Sequence, residues 1–209
     1  MLDIDSSDSW RRAFRVELRA QAIGLAWRGW PVLPGTYPAG SQWAGREGVE
    51  ATGPMPVHVD WQERIGTKPE QVATWWTGRP YSVLLATGVT LDAIEVPGHL
   101  GRGAARVLRA VGLPVPIIAT PDDRWTFLVR SGQALAQPLA EHGDVVLHQE
   151  NSWVTLPPTP SEHGVVHWRV RPEVCNWQMP APSLVQDALM DAIVNETAYA
   201  RSGGLVTAD

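Results

Sequence analysis

Two apolar runs separated by a turn signal constrain the fold of this chain more than any other stretch. Residues 81–86 (YSVLLA) and 91–96 (LDAIEV) flank Thr87-Gly88-Val89-Thr90, which is typical of a tight connection, so the stretch predicts a β-hairpin. Glu95 closes the second run directly before Pro97-Gly98. An acid at the end of a central strand is a common way to hold a metal ion or a phosphate, which makes Glu95 the first candidate site residue.

Composition excludes several classes of protein. The 209 residues carry a net charge of −5 and one cysteine, Cys175, which excludes an intramolecular disulfide and a cysteine-based zinc cluster. The net charge is acidic and therefore does not indicate nucleic-acid binding, although a local arginine face is compatible with an acidic net charge. No apolar run approaches the roughly 18 residues of a membrane span, and the acidic N-terminus lacks the apolar stretch of a signal peptide. We therefore expect a cytoplasmic protein that does not enter a membrane.

Hydrophobic periodicity predicts the other elements. Ser9 and Thr67 are expected to cap the first two helices, and residues 34–60, which lack periodicity, are expected to form a long loop. The predicted helices are 9–28, 67–77, 101–111 and 182–200, with a weakly helical segment at 131–142. The predicted strands are 30–33, 115–119 paired with 124–129, 145–148 paired with 153–156, and 165–170.

This order of elements predicts an α+β fold, in which a mixed or antiparallel sheet is flanked by helices. One domain is expected over residues 1–180, including the long loop at 34–60. Residues 181–209 are expected to add a C-terminal helix and tail.

Several short sequence segments along the chain resemble those of a known family. They are Ala26–Pro34 (AWRGWPVLP), Trp75-Trp76 with Pro80–Gly88 (PYSVLLATG), Leu91–Pro97, Thr120–Arg124 (TPDDR), and Val154–Pro158 (VTLPP) before Trp168. The chain resembles the N-terminal domain of bifunctional DNA primase/polymerases in the order and spacing of these segments, over roughly residues 20–170. This is the Prim-Pol branch of the archaeo-eukaryotic primase superfamily. The resemblance implies an RRM-like core within the sheet and a role in DNA replication.

The resemblance also implies a set of catalytic positions, and this chain departs from them. In the family, two aspartates two residues apart on one strand, a histidine on the next strand pair and a further acid hold divalent ions. The matching positions here are Glu95 and Pro97, Trp125, and Val146 with Asp144 two residues before it. Asp92 does not replace the missing partner, because residues i and i+3 of a strand face opposite sides of the sheet. Three changed positions together predict lost nucleotidyl transfer.

The candidate site residues are acids and arginines. Glu95 and Asp144 are the candidate catalytic residues; the alternative for Glu95 is a strand-end acid that reaches solvent or pairs with an arginine. Arg102, Arg106 and Arg124 are candidate contacts to a nucleotide, and the alternative for these arginines is a solvated face. No metal-ligand set is predicted.

The histidines give no metal signal. His148, His163 and His167 are close in sequence, but the i, i+4 spacing of the last two makes a metal-binding face only on a helix. Pro160 and Gly164 argue against a helix there. All three histidines are therefore expected to have ordinary loop or strand roles.

The main functional hypothesis is a degenerate Prim-Pol-like domain that binds a nucleotide, a nucleic acid or a protein as a regulatory module. One alternative is an active primase/polymerase whose metal site is rearranged around Glu95, Asp144 and Asp122 or Asp123. Another is a structural protein that dimerises through the helix at 182–200. No cofactor is expected, and Mg²⁺ or Mn²⁺ is required only if activity is retained. The expected partners are a nucleotide or nucleic acid, another protein, or a second copy of the chain.

Overall fold

The chain folds into two compact units, each discontinuous in sequence. The structure is a computed structural model that describes residues 4–66 and 68–203, with side chains described for 13–66 and 68–198. Unit 1 contains Met1–Thr90 and Glu150–His167, and unit 2 contains Leu91–Gln149 and Trp168–Asp209. Both units combine helices with antiparallel strands, which confirms the predicted α+β class. The predicted boundary at residue 180 stays a prediction.

Unit 1 is built on a three-stranded antiparallel sheet. Its strands are β1 (Val32–Gly35), β4 (Ser82–Ala86) and β9 (Trp153–Leu156), with β4 in the centre. All five residues of β4 are buried, as expected for a strand with neighbours on both edges. Helix α1 (Ile4–Trp27) packs against α2 (Pro69–Trp75) and against β4.

Helix α1 has the apolar stripe that its sequence predicts. Leu18, Ala22 and Leu25 are buried at i, i+4 and i+7. Gly29 follows the helix with φ 76°, a conformation that favours glycine. The predicted cap Ser9 is wrong, because the helix already begins at Ile4. The predicted cap Thr67 lies outside the described residues.

The stretch 34–60 contains more structure than the predicted loop. Strands β2 (Tyr37–Ala39) and β3 (Gln42–Ala44) form a small antiparallel hairpin. The buried Thr36 hydroxyl donates to the Gly53 carbonyl at 2.7 Å and accepts from the Met55 amide at 3.0 Å. The rest of the stretch is therefore tied to the sheet by polar contacts that no periodicity encodes.

The C-terminal part of unit 1 adds a second short ribbon. The predicted strand 165–170 is interrupted, and β11 (Gly164–Val165) pairs instead with β10 (Pro160–Ser161). Between β11 and the next strand, the buried Val166 donates its amide to the Thr159 carbonyl at 2.9 Å. This bond continues the register in which Pro160 pairs with Val165 and Ser161 with Gly164, so residues 164–166 run with β10, and the strand that follows begins at His167.

Unit 2 contains a five-stranded sheet of order β12-β6-β7-β5-β8. The strands are β5 (Leu91–Pro97), β6 (Ile117–Ala119), β7 (Arg124–Arg130), β8 (Val146–His148) and β12 (His167–Val170). The helices are α3 (Gly98–Ala110), α4 (Gln137–Ala140) and α5 (Pro182–Gly203). The predicted pairing of 115–119 with 124–129 is confirmed by β6 and β7.

One face of this sheet forms the core of unit 2. Ile94 and Val96 of β5, with Trp125 and Phe127 of β7, are buried in one cluster. Leu100, Ala104 and Leu108 of α3 and Val185, Leu189 and Ala192 of α5 belong to the same cluster. The opposite face of β5 therefore carries Glu95, because side chains alternate along a strand.

Both of the other predicted hairpins are wrong. Strand β4 pairs with β1 and β9, whereas β5 pairs with β7 and β8, so the runs on either side of Thr87–Thr90 lie in different sheets. Strands β8 and β9 are likewise in different sheets. The sequence at Thr87–Thr90 is typical of a turn, but each of these strands pairs with strands that are distant in sequence.

Candidate functional site around Glu95

Strand β5 places Glu95 between two neighbouring strands. In the register of the sheet, Glu95 lies opposite Thr126 of β7 and opposite Val146 of β8. Its side chain is 27% exposed, so solvent reaches the carboxylate although the strand itself is central. Glu95 therefore stands at a partly open position on the sheet face that does not carry the helices.

Both carboxylate oxygens of Glu95 are engaged by other side chains. Arg124 donates from Nε to Oε1 at 2.8 Å, and its Nη2 donates to the Asp144 carbonyl at 3.0 Å. Nε2 of His148 lies 3.1 Å from Oε2, and the ring nitrogen is the donor because an ionised carboxylate only accepts. We call Glu95, Arg124 and His148 the Glu95 cluster. The alternative given above for Glu95, a strand-end acid paired with an arginine, matches these contacts.

The cluster favours the charged form of Glu95. Burial by itself raises the pKa of this carboxyl. Hydrogen bonds from His148 and then from Arg124 act in the opposite direction and outweigh burial, so the pKa of Glu95 lies below its ordinary value of 4.5. Glu95 is therefore an ionised, neutralised carboxylate at physiological pH.

Asp144 joins the cluster through its backbone. Its carbonyl oxygen receives the Arg124 hydrogen bond, while the residue as a whole is exposed. Sequence reasoning paired the carboxylates of Glu95 and Asp144, but the contact that links these two residues passes through Arg124 and a main-chain oxygen.

Trp125 does not occupy the position that faces Glu95. It is opposite Val96 in the register and belongs to the buried cluster with α3. Arg169 lies over its ring, with the guanidinium carbon 5.1 Å from the ring centroid. The residue of β7 that faces Glu95 is Thr126, which is 4% exposed. The assignment of the family's histidine position to Trp125 stays a prediction.

Asp92 has a structural role on the other side of the sheet. It is 1% exposed and accepts hydrogen bonds from the Gly132 amide at 2.9 Å and from Gln149 Nε2 at 3.2 Å. As the alternation of side chains along a strand predicts, Asp92 contributes nothing to the Glu95 cluster.

The three candidate nucleotide-binding arginines have three different surroundings. Arg124 is bonded to Glu95, and Arg102 makes a two-pronged ion pair with Asp123 at 2.8 and 3.2 Å. Arg106 lies in a groove of about 820 Å³ between α3 and α5, together with His99. The prediction that these arginines contact a nucleotide stays a prediction.

Tight packing between a turn and a helix start positions the Arg102 ion pair. Asp123 has φ 57°, and its carbonyl accepts the Gly98 amide at 2.7 Å. A Cβ at position 98 would overlap the Asp123 carboxylate, so glycine leaves room for the carboxylate in this position. The two adjacent acids of the 120–124 turn are thus partly neutralised, because Asp123 is paired with Arg102.

The donors around Glu95 do not fit the divalent ions of this kind of fold. Magnesium prefers several oxygen ligands, whereas the strand residues beside Glu95 on this face are Thr126, Val146 and Pro97. The two groups bonded to its carboxylate are the guanidinium of Arg124 and the imidazole of His148. Among the side chains described, those of 13–66 and 68–198, no group of three or more His, Cys, Asp or Glu is suited to a metal ion. One carboxylate with these neighbours is a poor ligand set for Mg²⁺.

His148 is the site residue that sequence reasoning missed. Its expected role was an ordinary one, but β8 pairs with β5 and brings it to Glu95 across 53 positions of sequence. A signal was present: the family resemblance put the later acid near Val146, on a predicted strand. His148 is two residues further on and therefore faces the same side.

Cys175 has the properties of a packed thiol. It is 7% exposed, and burial raises the pKa of its thiol to about 11. A thiol that stays protonated at neutral pH is a poor nucleophile.

Comparisons with known proteins agree with this architecture. The family model described as bifunctional DNA primase/polymerase, N-terminal (Prim-Pol), matches residues 22–183, which is well over half of the 209 residues. A search of curated proteins found no match. None of the helices in the described part of the chain is long and apolar enough to cross a bilayer. The match includes both sheets and the Glu95 cluster, and the chain therefore belongs to the Prim-Pol family of primase/polymerase-type domains.

Proposed function

We propose that this chain is a Prim-Pol-type domain that no longer transfers nucleotides and acts as a regulatory module by binding a nucleotide, a nucleic acid or a protein. The observation that supports this most is the state of Glu95. Glu95, the acid at a catalytic position implied by the family resemblance, is bonded on one oxygen by Arg124 and on the other by His148.

The physical argument is a competition for the carboxylate. A catalytic metal ion needs ionised oxygens that are free to enter its coordination shell. To bind such an ion, Glu95 has to give up a charge-assisted hydrogen bond from Arg124, which is among the stronger bonds a carboxylate makes. No second carboxylate among its neighbours in the sheet register compensates for this loss, since the positions are Pro97, Thr126 and Val146.

A rearranged metal site has less support. It requires Glu95, Asp144 and Asp122 or Asp123 to converge on one ion within about 4–5 Å. Asp123 is paired with Arg102, and Asp144 is connected to Glu95 through its backbone carbonyl and Arg124. Among the described side chains, no group of three or more His, Cys, Asp or Glu could hold a metal ion.

Dimerisation through the C-terminal helix also has less support. Helix α5 buries Val185, Ala188, Leu189 and Ala192 in the core of unit 2. Its most buried stripe is therefore already used within the chain, and Leu184 and Val194 are large apolar residues of this helix that remain exposed.

The test is primer synthesis and primer extension by the purified full chain with Mg²⁺ or Mn²⁺, beside an active polymerase as positive control. We expect no product above background for the wild type and the same background for Glu95→Ala. Extension by the wild type that Glu95→Ala abolishes contradicts the proposal. Titration of the same preparation with labelled ATP and with a labelled single-stranded oligonucleotide then identifies the ligand class.

A further inference from the structure

A groove in unit 1 has the composition of a binding site. Its volume is about 820 Å³, and its lining includes Phe14, Arg15, Tyr37, Pro80, Pro160 and Val165. The groove thus collects side chains from α1, from the β2–β3 hairpin and from the β10–β11 ribbon. All of these residues belong to unit 1, whereas the Glu95 cluster belongs to unit 2.

The floor of this groove is apolar and open. Phe14 and Tyr37 are half-buried, and Val165 is 45% exposed although it is a large aliphatic residue. Val165 is in β11, which pairs on one side with β10 and is an edge of its two-stranded sheet. An exposed aliphatic side chain on a strand edge is suited to receive an extended peptide with an apolar residue.

One end of the groove is cationic. Arg15 also lines an adjoining depression of about 390 Å³, together with Arg19, Arg79 and Trp76. Among the described side chains, no carboxylate forms an ion pair with Arg15, Arg19 or Arg79. Three guanidinium groups without such partners favour a ligand that brings negative charge.

Arg79 interacts with an aromatic neighbour. The Tyr37 side chain is the main cause that raises the pKa of Arg79. The Tyr37 ring in turn packs edge-on against Tyr81, with ring centroids 5.8 Å apart.

The ring geometry argues against single-stranded nucleic acid as the occupant. Base stacking requires exposed aromatic faces, but Trp76 is 2% exposed and donates its indole N–H to the Tyr81 carbonyl at 2.8 Å. Prolines and Val165 supply much of the remaining apolar lining of the groove.

We propose that this groove binds an acidic peptide segment of a partner protein, with an apolar side chain against Val165 and Tyr37 and carboxylates against Arg15, Arg19 and Arg79. The inference gives a partner class to the binding role proposed above. It does not depend on the loss of nucleotidyl transfer, because the two sites belong to different units.

The experiment uses the full chain and a fluorescein-labelled synthetic peptide in which Asp and Glu alternate with Leu and Phe, followed by fluorescence anisotropy. We expect saturable binding that weakens by about tenfold or more in Arg15→Glu, because an attractive charge becomes repulsive. Val165→Ser is expected to weaken binding by about threefold to tenfold through lost apolar contact. Both residues are solvent-exposed, so the variants are expected to fold, and circular dichroism checks this.

Arg109→Glu, an equal charge change on the exposed face of α3 in unit 2, is the matched control and is expected to leave peptide binding unchanged. A peptide with Lys in place of Asp and Glu is expected to show no saturable binding. Absence of binding by the acidic peptide, or equal binding by Arg15→Glu, overturns the inference. Tighter binding of an unlabelled oligo-dT strand that Arg15→Glu abolishes overturns it in favour of nucleic acid. None of these readouts uses nucleotide transfer, so their failure is distinct from failure of the primer assay.

Discussion

At the scale of single residues, Glu95 is held by two groups that favour its charge. Since its pKa in the folded protein lies below the ordinary value of 4.5, the interaction stabilises the fold fully above about pH 4.5. That contribution is lost as the pH falls through the lowered pKa. The sign follows from linkage: the unfolded chain binds the proton more readily, so acid favours unfolding.

Glu95→Gln tests this directly. We expect the variant to lower the free energy of unfolding by about 1–2 kcal/mol at pH 7, because a partly buried arginine loses its ionised partner. The difference from wild type is expected to shrink as the pH falls below about 4.5 and to vanish below the lowered pKa of Glu95, where the carboxyl of the folded wild type protonates as well. Urea unfolding at a series of pH values measures both effects.

Asp123→Asn is the matched control for that variant. It removes an ion pair that is fully exposed, so a smaller effect is expected. A Glu95→Gln difference that stays constant down to strongly acidic pH contradicts the assigned role of the carboxylate.

At the scale of elements, helix α3 lies very close to strand β7. A Cβ added at Gly101 would stand 2.6 Å from the Cβ of Trp125, which is buried in the core of unit 2. Small residues at such a position let the helix approach the sheet. Gly24 of α1 offers a contrast, because a Cβ there meets nothing within 4 Å.

The same substitution at these two helical glycines is therefore expected to have opposite effects. Gly101→Ala overpacks the core and is expected to lower the free energy of unfolding by about 1–3 kcal/mol. Gly24→Ala is expected to raise it by about 0.5–1 kcal/mol, since alanine loses less backbone entropy in a helix. Chemical denaturation measures both, and destabilisation by Gly24→Ala together with tolerance at Gly101 contradicts this account of the α3–β7 packing.

Local patterns predicted the elements better than their pairing. The helix stripe through Leu18, Ala22 and Leu25 was readable because helical period and burial agree along one short segment. The partners of β4 could not be predicted from local sequence. Whether β4 pairs with β5 or with β1 and β9 depends on residues far away in sequence. Thr87-Gly88 looks the same in a hairpin turn and in a connection between two sheets.

The candidate site was partly predictable for the same reason. Glu95 stood out as an acid at a strand end, and the exclusion of Asp92 needed only the two-residue alternation of a strand. The contribution of His148 needed the pairing of β5 with β8, which only the folded chain fixes. The Arg102–Asp123 ion pair needed the turn that places Asp123 beside the start of α3.

At the scale of the whole molecule, the order of the chain differs from the order of its units. Strand β4 of unit 1 has β9 as one neighbour, and β9 follows some seventy residues later, after most of unit 2. The Thr159 hydroxyl also accepts the Val83 amide at 2.8 Å. A fragment that ends before residue 150 therefore leaves one edge of a buried strand without partners.

We expect the fragment 1–90 to lack a cooperative unfolding transition. Joining 1–90 to 150–167 by a short Gly/Ser linker is expected to restore cooperativity, because the second segment returns β9 and Thr159. Near-ultraviolet circular dichroism of the tryptophans during urea titration compares the two chains. Cooperative unfolding of 1–90 alone at the same midpoint contradicts this description of unit 1.

The ion pair between Arg124 and Glu95 also determines which substitutions are needed to build a metal site into this sheet, and in which order they help. Position 97 lies directly across from Arg124, so an aspartate introduced there alone gives the arginine a second partner and releases no oxygen. Replacing Arg124 alone frees one carboxylate that has no companion. Each step is unproductive without the other, so the two substitutions are epistatic. Selection for metal binding therefore has to replace Arg124 before a new acid at position 97 brings any benefit.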